Sequence, residues 1–240
     1  MFEIIALATI VTAAGFLQGL TGFGFGLMAL PLMSLFVPIK TIIPLIIILT
    51  LFINLTLTIQ LWSAVRLKTV GPLFMAAIPG IYIGVYLLTQ ISSDSLTIIV
   101  GMLTVGFALY QLLATPVPRE LGLLATICTG LASGILSSSI STAGPPVIIY
   151  TTIQPWSKDK AKATLGSYFL IVGIATVAVH ALNGIITEPV LTYSAYLLPA
   201  LIVGTLAGTW LYSRIADERY RKLAIILVLL LGVMMLIKGF

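Results

Sequence analysis

The chain has 240 residues, 60% of them hydrophobic and only 8% charged, with a net charge of +5. A soluble domain carries about 25% charged residues, so a surface facing water is excluded. Apolar runs separated by short polar breaks are the pattern of membrane helices, and the alternation that β-barrel strands need over about ten residues is missing.

In chain order, apolar segments are expected at about 2–20, 23–37, 41–62, 70–90, 95–114, 121–137, 142–156, 163–182, 190–212 and 222–237. They define an all-α, polytopic membrane protein. The segment after Gly22 and the pair around Gly130 to Trp156 are short. Sixteen residues at about 1.5 Å each reach roughly 24 Å, less than a hydrocarbon core of about 30 Å. These pieces are therefore read as half-helices that enter the membrane and turn back. Backbone at that depth must be covered by protein or line a wet cavity.

The basic residues lie in the short connections, so they are read as topology signals and not as a nucleic-acid surface. With the Arg66/Lys68 loop placed in the cytoplasm, Arg119, Lys158, Lys160, Lys162, Arg214, Arg219, Arg221 and Lys222 fall on the same side. Only Lys40 and Lys238 fall outside, and both termini are expected on the non-cytoplasmic face of the inner membrane. Cys128 is the single cysteine, which leaves no disulfide framework and no metal cluster. Met1-Phe2-Glu3 lacks the basic region of a cleaved signal peptide.

Gly15, Gly19 and Pro31 recur as Gly130, Gly134 and Pro146, each 115 residues later. Ile78-Pro79-Gly80-Ile81-Tyr82-Ile83-Gly84 is similar to Leu198-Pro199-Ala200-Leu201-Ile202-Val203-Gly204. The shared order predicts a duplication: a first repeat over 1–114, a proline-containing linker over 115–120, and a second repeat over 121–240. Five segments per half is an odd number, so the copies have opposite orientation. Inverted repeats typify secondary transporters, with substrate bound near the midplane at broken helices. Pro79 and Pro199 are expected kinks for a rocking movement.

Two stretches could carry chemistry. In Gln18-Gly19-Leu20-Thr21-Gly22-Phe23-Gly24-Phe25-Gly26 the glycines disfavour a straight helix. A break there frees N–H groups at the start of the next helix, an end attractive to anions. Close helix packing through small residues is the competing reading. Ser137-Ser138-Ser139-Ile140-Ser141-Thr142-Ala143-Gly144-Pro145-Pro146 offers hydroxyls beside a proline-induced break. The same hydroxyls could serve only to bond their own backbone. An anion site is expected between the two broken segments, with Thr21, Gly22, Gly24, Gly26, Ser137, Ser138, Ser139, Ser141 and Thr142 as substrate-binding candidates. Gln18, Asn54 and Gln154 are weaker ones, since polar side chains also join membrane helices. Lys158, Lys160 and Lys162 are read first as topology signals and second as an electrostatic funnel for anions.

No Asp, Glu, Lys or Arg falls near the middle of any segment, and His180 is read as a packed or interfacial residue and not as a proton relay. An anion held by neutral donors keeps its charge, so the membrane potential would drive its export, at about 2.3 kcal/mol per charge and 100 mV. A serine hydrolase would need a base within reach of its nucleophile, and no triad, His-Glu-x-x-His motif or acidic pair is present. Neither an enzyme nor a bound cofactor or metal is expected. An anion channel, a structural or lipid-handling subunit and an intramembrane hydrolase are the alternatives. The glycine spacings could pack helices within one chain or between two, which leaves a homodimer open alongside membrane lipid as a partner.

At the paired motifs, Gly15 to Pro31 and Gly130 to Pro146 with Gly144-Pro145-Pro146, the chain resembles the sulfite exporter TauE/SafE family. The resemblance extends over essentially the whole chain, including the basic run into Lys162-Ala163-Thr164-Leu165. It implies movement of sulfite or organosulfur anions such as sulfoacetate across the inner membrane. Ser137-Ser138-Ser139 stands where many members of the family are richer in glycine.

Overall fold

In the computed structural model, residues 2–212 and 218–239 are described; Arg214 and the side chains of Thr21, Lys158, Arg219 and Arg221 lie outside the described residues. Each expected apolar segment is a helix: α1 (Phe2–Thr21), α2 (Phe25–Met33), α3 (Ile39–Gln60), α4 (Leu67–Gln90), α5 (Ser93–Leu113), α6 (Leu123–Ile140), α7 (Gly144–Ile153), α8 (Lys158–Leu182), α9 (Glu188–Tyr212) and α10 (Glu218–Gly239). Seven of them (α1, α3 to α6, α8 and α9) are long and apolar enough to cross a membrane, counted among the described residues. Large apolar side chains such as Ile59, Leu67, Leu124, Leu206 and Ile237 are more than half exposed. Such a surface is tolerable only against lipid.

The two short helices are the 9-residue α2 and the 10-residue α7, each about 15 Å long at about 1.5 Å per residue, half a hydrocarbon core. The Arg119 N–H, just before α6, donates to the Ile153 carbonyl at the end of α7 at 2.8 Å. The chain thus comes back to the level at which α6 begins, so α6 and α7 form a hairpin and not two crossings.

The helices group into two compact units. The first holds residues 1–46, 91–114 and 187–240, and the second holds 47–90 and 115–186. Both units therefore draw on both halves of the sequence. In the first, α1 lies along α9; in the second, α6 lies along α4. Glycines make both approaches possible. A Cβ added at Gly204 would fall on the Thr12 carbonyl oxygen, and one at Gly208 on that of Phe16. In the second unit, a Cβ at Gly134 would fall on the Ala77 carbonyl oxygen, at Gly80 on that of Leu131 and at Gly84 on that of Ile135. Dispersion between closely packed backbones is the main attraction between helices in lipid, and any side chain here would forfeit it. Along both pairs the residue numbers rise together, so each pair is parallel.

The two pairs share one register. Thr12 meets Gly204 as Leu131 meets Gly80, and Phe16 meets Gly208 as Ile135 meets Gly84. Equivalent positions on α1 and α6 are thus 119 residues apart (12 and 131, 16 and 135), and those on α4 and α9 are 124 apart (80 and 204, 84 and 208). The helix ends agree: Gly22 N–H donates to the Gln18 carbonyl at 2.7 Å, and Ser141 N–H to that of Ser137 at 3.0 Å. The Gly15/Gly130 and Gly80/Ala200 matches of the sequence differ from this packing by four residues, one helical turn. A Gly-x-x-x-Gly pattern slides onto itself at that spacing, so glycine identities cannot separate the two registers.

The glycine contacts make a prediction. Gly134→Ala and Gly204→Ala should each lower the thermal midpoint of the detergent-solubilised protein by several degrees. Gly71→Ala and Gly106→Ala, whose added Cβ would meet no atom within 4 Å, should leave it unchanged or slightly raised. Equal effects at all four positions would contradict this packing.

Candidate functional site

Each helix break sits within one unit and is described there. In the first unit α1 ends at Thr21, and Gly22 and Gly24 take φ values of 82° and 104°, in the left-handed region that only glycine adopts readily. The Gln18 side-chain oxygen accepts the Phe25 N–H at 2.8 Å, in a buried setting. Gln18 thereby caps α2 from the preceding helix. Met28 N–H closes the first turn onto the Gly24 carbonyl at 3.0 Å. The Gly26 and Leu27 N–H groups have no hydrogen-bond partner among the described residues. Phe23 packs edge-on to Phe107 with centroids 5.9 Å apart, and a narrow pocket beside Gly24 is lined by Leu17, Phe23, Phe107, Ala108, Ile225 and Val228. That flank of the break is wholly apolar.

The second break is polar. Ser141 has φ 55° and ends α6 in the left-handed conformation, at the position equivalent to Gly22. Its N–H and that of Thr142 reach back to the carbonyls of Ser137 and Leu136 at 3.0 and 3.1 Å. These two bonds close the end of α6. Helix α7 then begins Gly144-Pro145-Pro146, and the two prolines remove donors that a helix start would otherwise leave unpaired. The N–H groups of Ala143 and Gly144 remain without a partner among the described residues.

The serine and threonine hydroxyls divide into two groups. Ser139 donates to the Ile135 carbonyl at 2.7 Å and Thr142 to that of Ile140 at 3.0 Å. Ser133 holds the break to α6 by donating to the Ala143 carbonyl at 2.8 Å. A hydroxyl has one proton, so these three have none to offer an anion. Ser137 shares a hydrogen bond of 3.1 Å with Thr176, which leaves one proton of the pair uncommitted. Ser138 lies 3.3 Å from His180 Nε2, which is itself 2.9 Å from the Ser138 carbonyl oxygen. A carbonyl only accepts, so Nε2 carries the hydrogen, and the Ser138 hydroxyl proton is also uncommitted.

Of the other candidates, Gln154 caps the far end of α7, ten residues from the break, and is not part of it. Asn54 is buried on α3 with its side-chain oxygen unpartnered among the described residues, while its carbonyl accepts the Thr58 hydroxyl at 2.7 Å. Thr21 supplies the last residue of α1, its side chain lying outside the described residues.

Sequence reasoning missed the role of α8. Thr164, Tyr168, Val172, Thr176 and His180, each four residues from the next, are all 0% exposed. This stripe supplies Thr176 and His180 to the serine break, and Tyr168 lies toward Ser133 with its hydroxyl unpartnered in hydrogen-bond geometry. The four-residue spacing of polar residues was the available signal. At the start of α8 the Lys160 ammonium stands 4.4 Å from the centre of the Trp156 ring, which is edge-on to Tyr150 at 5.9 Å.

The Gln18 cap is testable. Gln18→Leu, which leaves the Phe25 N–H unpaired in a buried place, should cost about 1–3 kcal/mol. Gln18→Glu keeps an acceptor and should cost less. Chemical denaturation of the two variants compares them, and a Leu variant as stable as the parent would show that the cap contributes nothing.

The family described as Sulfite exporter TauE/SafE matches residues 7–235. A curated protein of Cupriavidus necator, named probable sulfite/organosulfonate exporter TauE, is 21% identical over 215 residues, covering 87% of this chain and 84% of that protein. No solved structure matches the chain. With nearly the whole chain inside the family's span, and with a multi-helix membrane fold broken at Gly22–Gly24 and at Ser141–Ala143, the protein belongs to the TauE/SafE family of sulfite exporters.

Proposed function

We propose that this protein exports sulfite or a small organosulfonate across the inner membrane by alternating access, with the serine break of the second unit as its principal anion contact. The observation that carries this reading is the set of unspent donors there: the N–H groups of Ala143 and Gly144, the Ser138 hydroxyl, and one proton of the Ser137–Thr176 pair. A sulfite or sulfonate group presents three oxygens and needs donors only. Ser139, Ser141 and Thr142 then shape the break, while Gly22, Gly24 and Gly26 open the corresponding turn of the first unit. The name of the Cupriavidus protein supports the substrate class.

The parallel helix pairs support the inverted repeat and the orientation. Parallel α1 and α9 must start on the same face, and Glu3 and Glu188 lie at their starts; parallel α4 and α6 start beside Arg66 and Lys68 and after Arg119. Glutamates outside and basic residues inside is the arrangement that positive-inside sorting produces. The first helix of each half packs on the fourth helix of the other, a reciprocal exchange suited to a duplicated chain.

Thermal shift with sulfite, sulfoacetate, sulfate and acetate tests the reading. A sulfite or sulfoacetate shift is expected, with little response to acetate. Ser138→Ala removes a donor to a charged group and should weaken binding about tenfold or more. Ser139→Ala, whose proton goes to the backbone, should stay within about twofold. The absence of any sulfur-anion response in folded protein would overturn the substrate. Flux into liposomes that does not saturate or exchange would favour a channel.

A further inference from the structure

We propose that His180 Nδ1 is a proton-binding position in the second unit, loaded together with the anion at the serine break. The anion half of this inference rests on the function proposed above; the proton site stands on the second unit alone. His180 is 0% exposed, and Nδ1 has no hydrogen-bond partner among the described residues. Because Nε2 donates to the Ser138 carbonyl, the neutral ring carries its lone pair on Nδ1. A proton can therefore be added at Nδ1 while the bond that fixes the ring stays intact.

The surroundings suit a ring that is charged only part of the time. Its partner carbonyl belongs to the last turn of α6, where the helix dipole favours a cation. That contribution is modest, and an imidazolium without a counter-ion is costly in a dry interior. None is built in. Facing α8, α6 presents Ser137 and Ser138; α7 has only Tyr150 as a titratable group; α4 has Lys68, Tyr82 and Tyr86, all exposed; the Trp62–Ala64 turn has none; and α3, whose Leu51 and Leu57 lie against Gly173 and Gly166, has only Lys40, near its start. Along α8, Lys158, Asp159, Lys160 and Lys162 lie five to six turns away and Tyr168 three. Glu120 is exposed in the linker before α6, far from His180 near the end of α8. The counter-ion must come from outside, and the Ser138 hydroxyl places an anion site against the same ring.

Proton and anion then favour each other. Protonation supplies, in the ring that contacts Ser138, the positive charge that the neutral donors of the break lack. By linkage, an anion that raises the ring's proton affinity tenfold is itself held tenfold more tightly by the protonated ring. The sign is fixed: affinity rises as pH falls through the titration of the ring. One proton accompanying one negative charge makes that step electroneutral, in place of the voltage-driven export expected from neutral donors alone.

His180 is the only histidine of the chain, so isotope labelling of histidine in protein carrying a histidine-free tag reports one ring. Ring nitrogen NMR from pH 5 to 8.5, with and without saturating sulfoacetate, is the test; the charge of that probe is constant above about pH 5.5. The expected result is an Nε2–H tautomer at high pH, protonation at Nδ1 on acidification, and a midpoint at least one pH unit higher with sulfoacetate. His180→Gln retains an amide donor for the Ser138 carbonyl and loses the titrating nitrogen, so its sulfoacetate affinity should no longer vary with pH. An Nδ1–H tautomer, a ring neutral down to pH 5, or a midpoint unmoved by bound sulfoacetate overturns the proposal. Wild-type protein that fails to bind sulfoacetate in a thermal shift overturns the substrate reading instead, and titration of the ligand-free ring still decides the proton site.

Discussion

Inside a bilayer every backbone N–H and C=O must find a partner within the protein, because hydrocarbon offers none. This protein interrupts two helices at that depth, and much of its architecture answers the interruption. At the first break the Gln18 side chain takes the Phe25 N–H, and left-handed glycines turn the chain within three residues. At the second, Ser141 and Thr142 close the end of α6, Ser133 takes up the Ala143 carbonyl, and two prolines delete N–H groups at the start of α7. What stays unpaired among the described residues is small and local, and includes the N–H groups of Gly26 and Leu27 at the first break and of Ala143 and Gly144 at the second. Unpaired N–H groups at a helix start attract anions, so in the function proposed above the strain of breaking a helix and the capacity to bind have one origin.

A break can hold its shape only if the helix leading into it is fixed. Gly204 and Gly208 bring α9 onto the backbone of α1, and Gly80, Gly84 and Gly134 bring α4 and α6 together in the same way. The contacts run to the break itself: a Cβ at Gly84 would meet the Ser138 Cβ at 2.9 Å, and one at Gly208 would meet the Leu20 N at 3.0 Å. Glycine here serves two needs. At positions 22 and 24 it permits the left-handed turn, while at 80, 84, 204 and 208 it permits closeness. The second need explains why the packing and binding readings of glycine-rich segments are hard to separate: both are true, at different residues.

Most of the fold was legible in the sequence because apolar length alone fixes where helices lie in a membrane. All ten segments became helices; of the three read as short, two became the half-helices α2 and α7, while the segment at 121–137 became the 18-residue α6, long and apolar enough to cross. The register between the halves was less legible, since glycines four apart match each other at two offsets. The candidate site was legible as a region and not as a set of contacts. Five hydroxyls near Ser137 looked equivalent in sequence, yet Ser139 and Thr142 spend their protons on carbonyls and only Ser137 and Ser138 face α8. Gln18 and Gln154 looked alike and are not: one caps a helix across a break, the other ends α7. His180 lies 42 residues from Ser138, and a contact over that separation depends on how α6 and α8 rotate, which composition does not encode.

The two breaks share a helix-ending geometry and differ in chemistry, and the difference bears on how an anion could be moved. The first has a pocket lined by Leu17, Phe23 and Phe107, with no titratable side chain in that lining, and a glutamine already committed to the backbone. The second is bordered by Ser137, Ser138, Thr176 and His180. Gly22 and Ser141 occupy equivalent left-handed positions, although serine bears a steric cost there that glycine does not. Retaining a side chain at the strained position fits a turn whose surroundings are specialised for polar contacts. A glycine turn lined by apolar groups is free of such demands and can change conformation at less cost in broken hydrogen bonds. Among the described residues the hydroxyl and imidazole groups gather at the second break, while the first leaves only backbone N–H groups, so each unit by itself carries a different chemistry at a helix end of the same geometry.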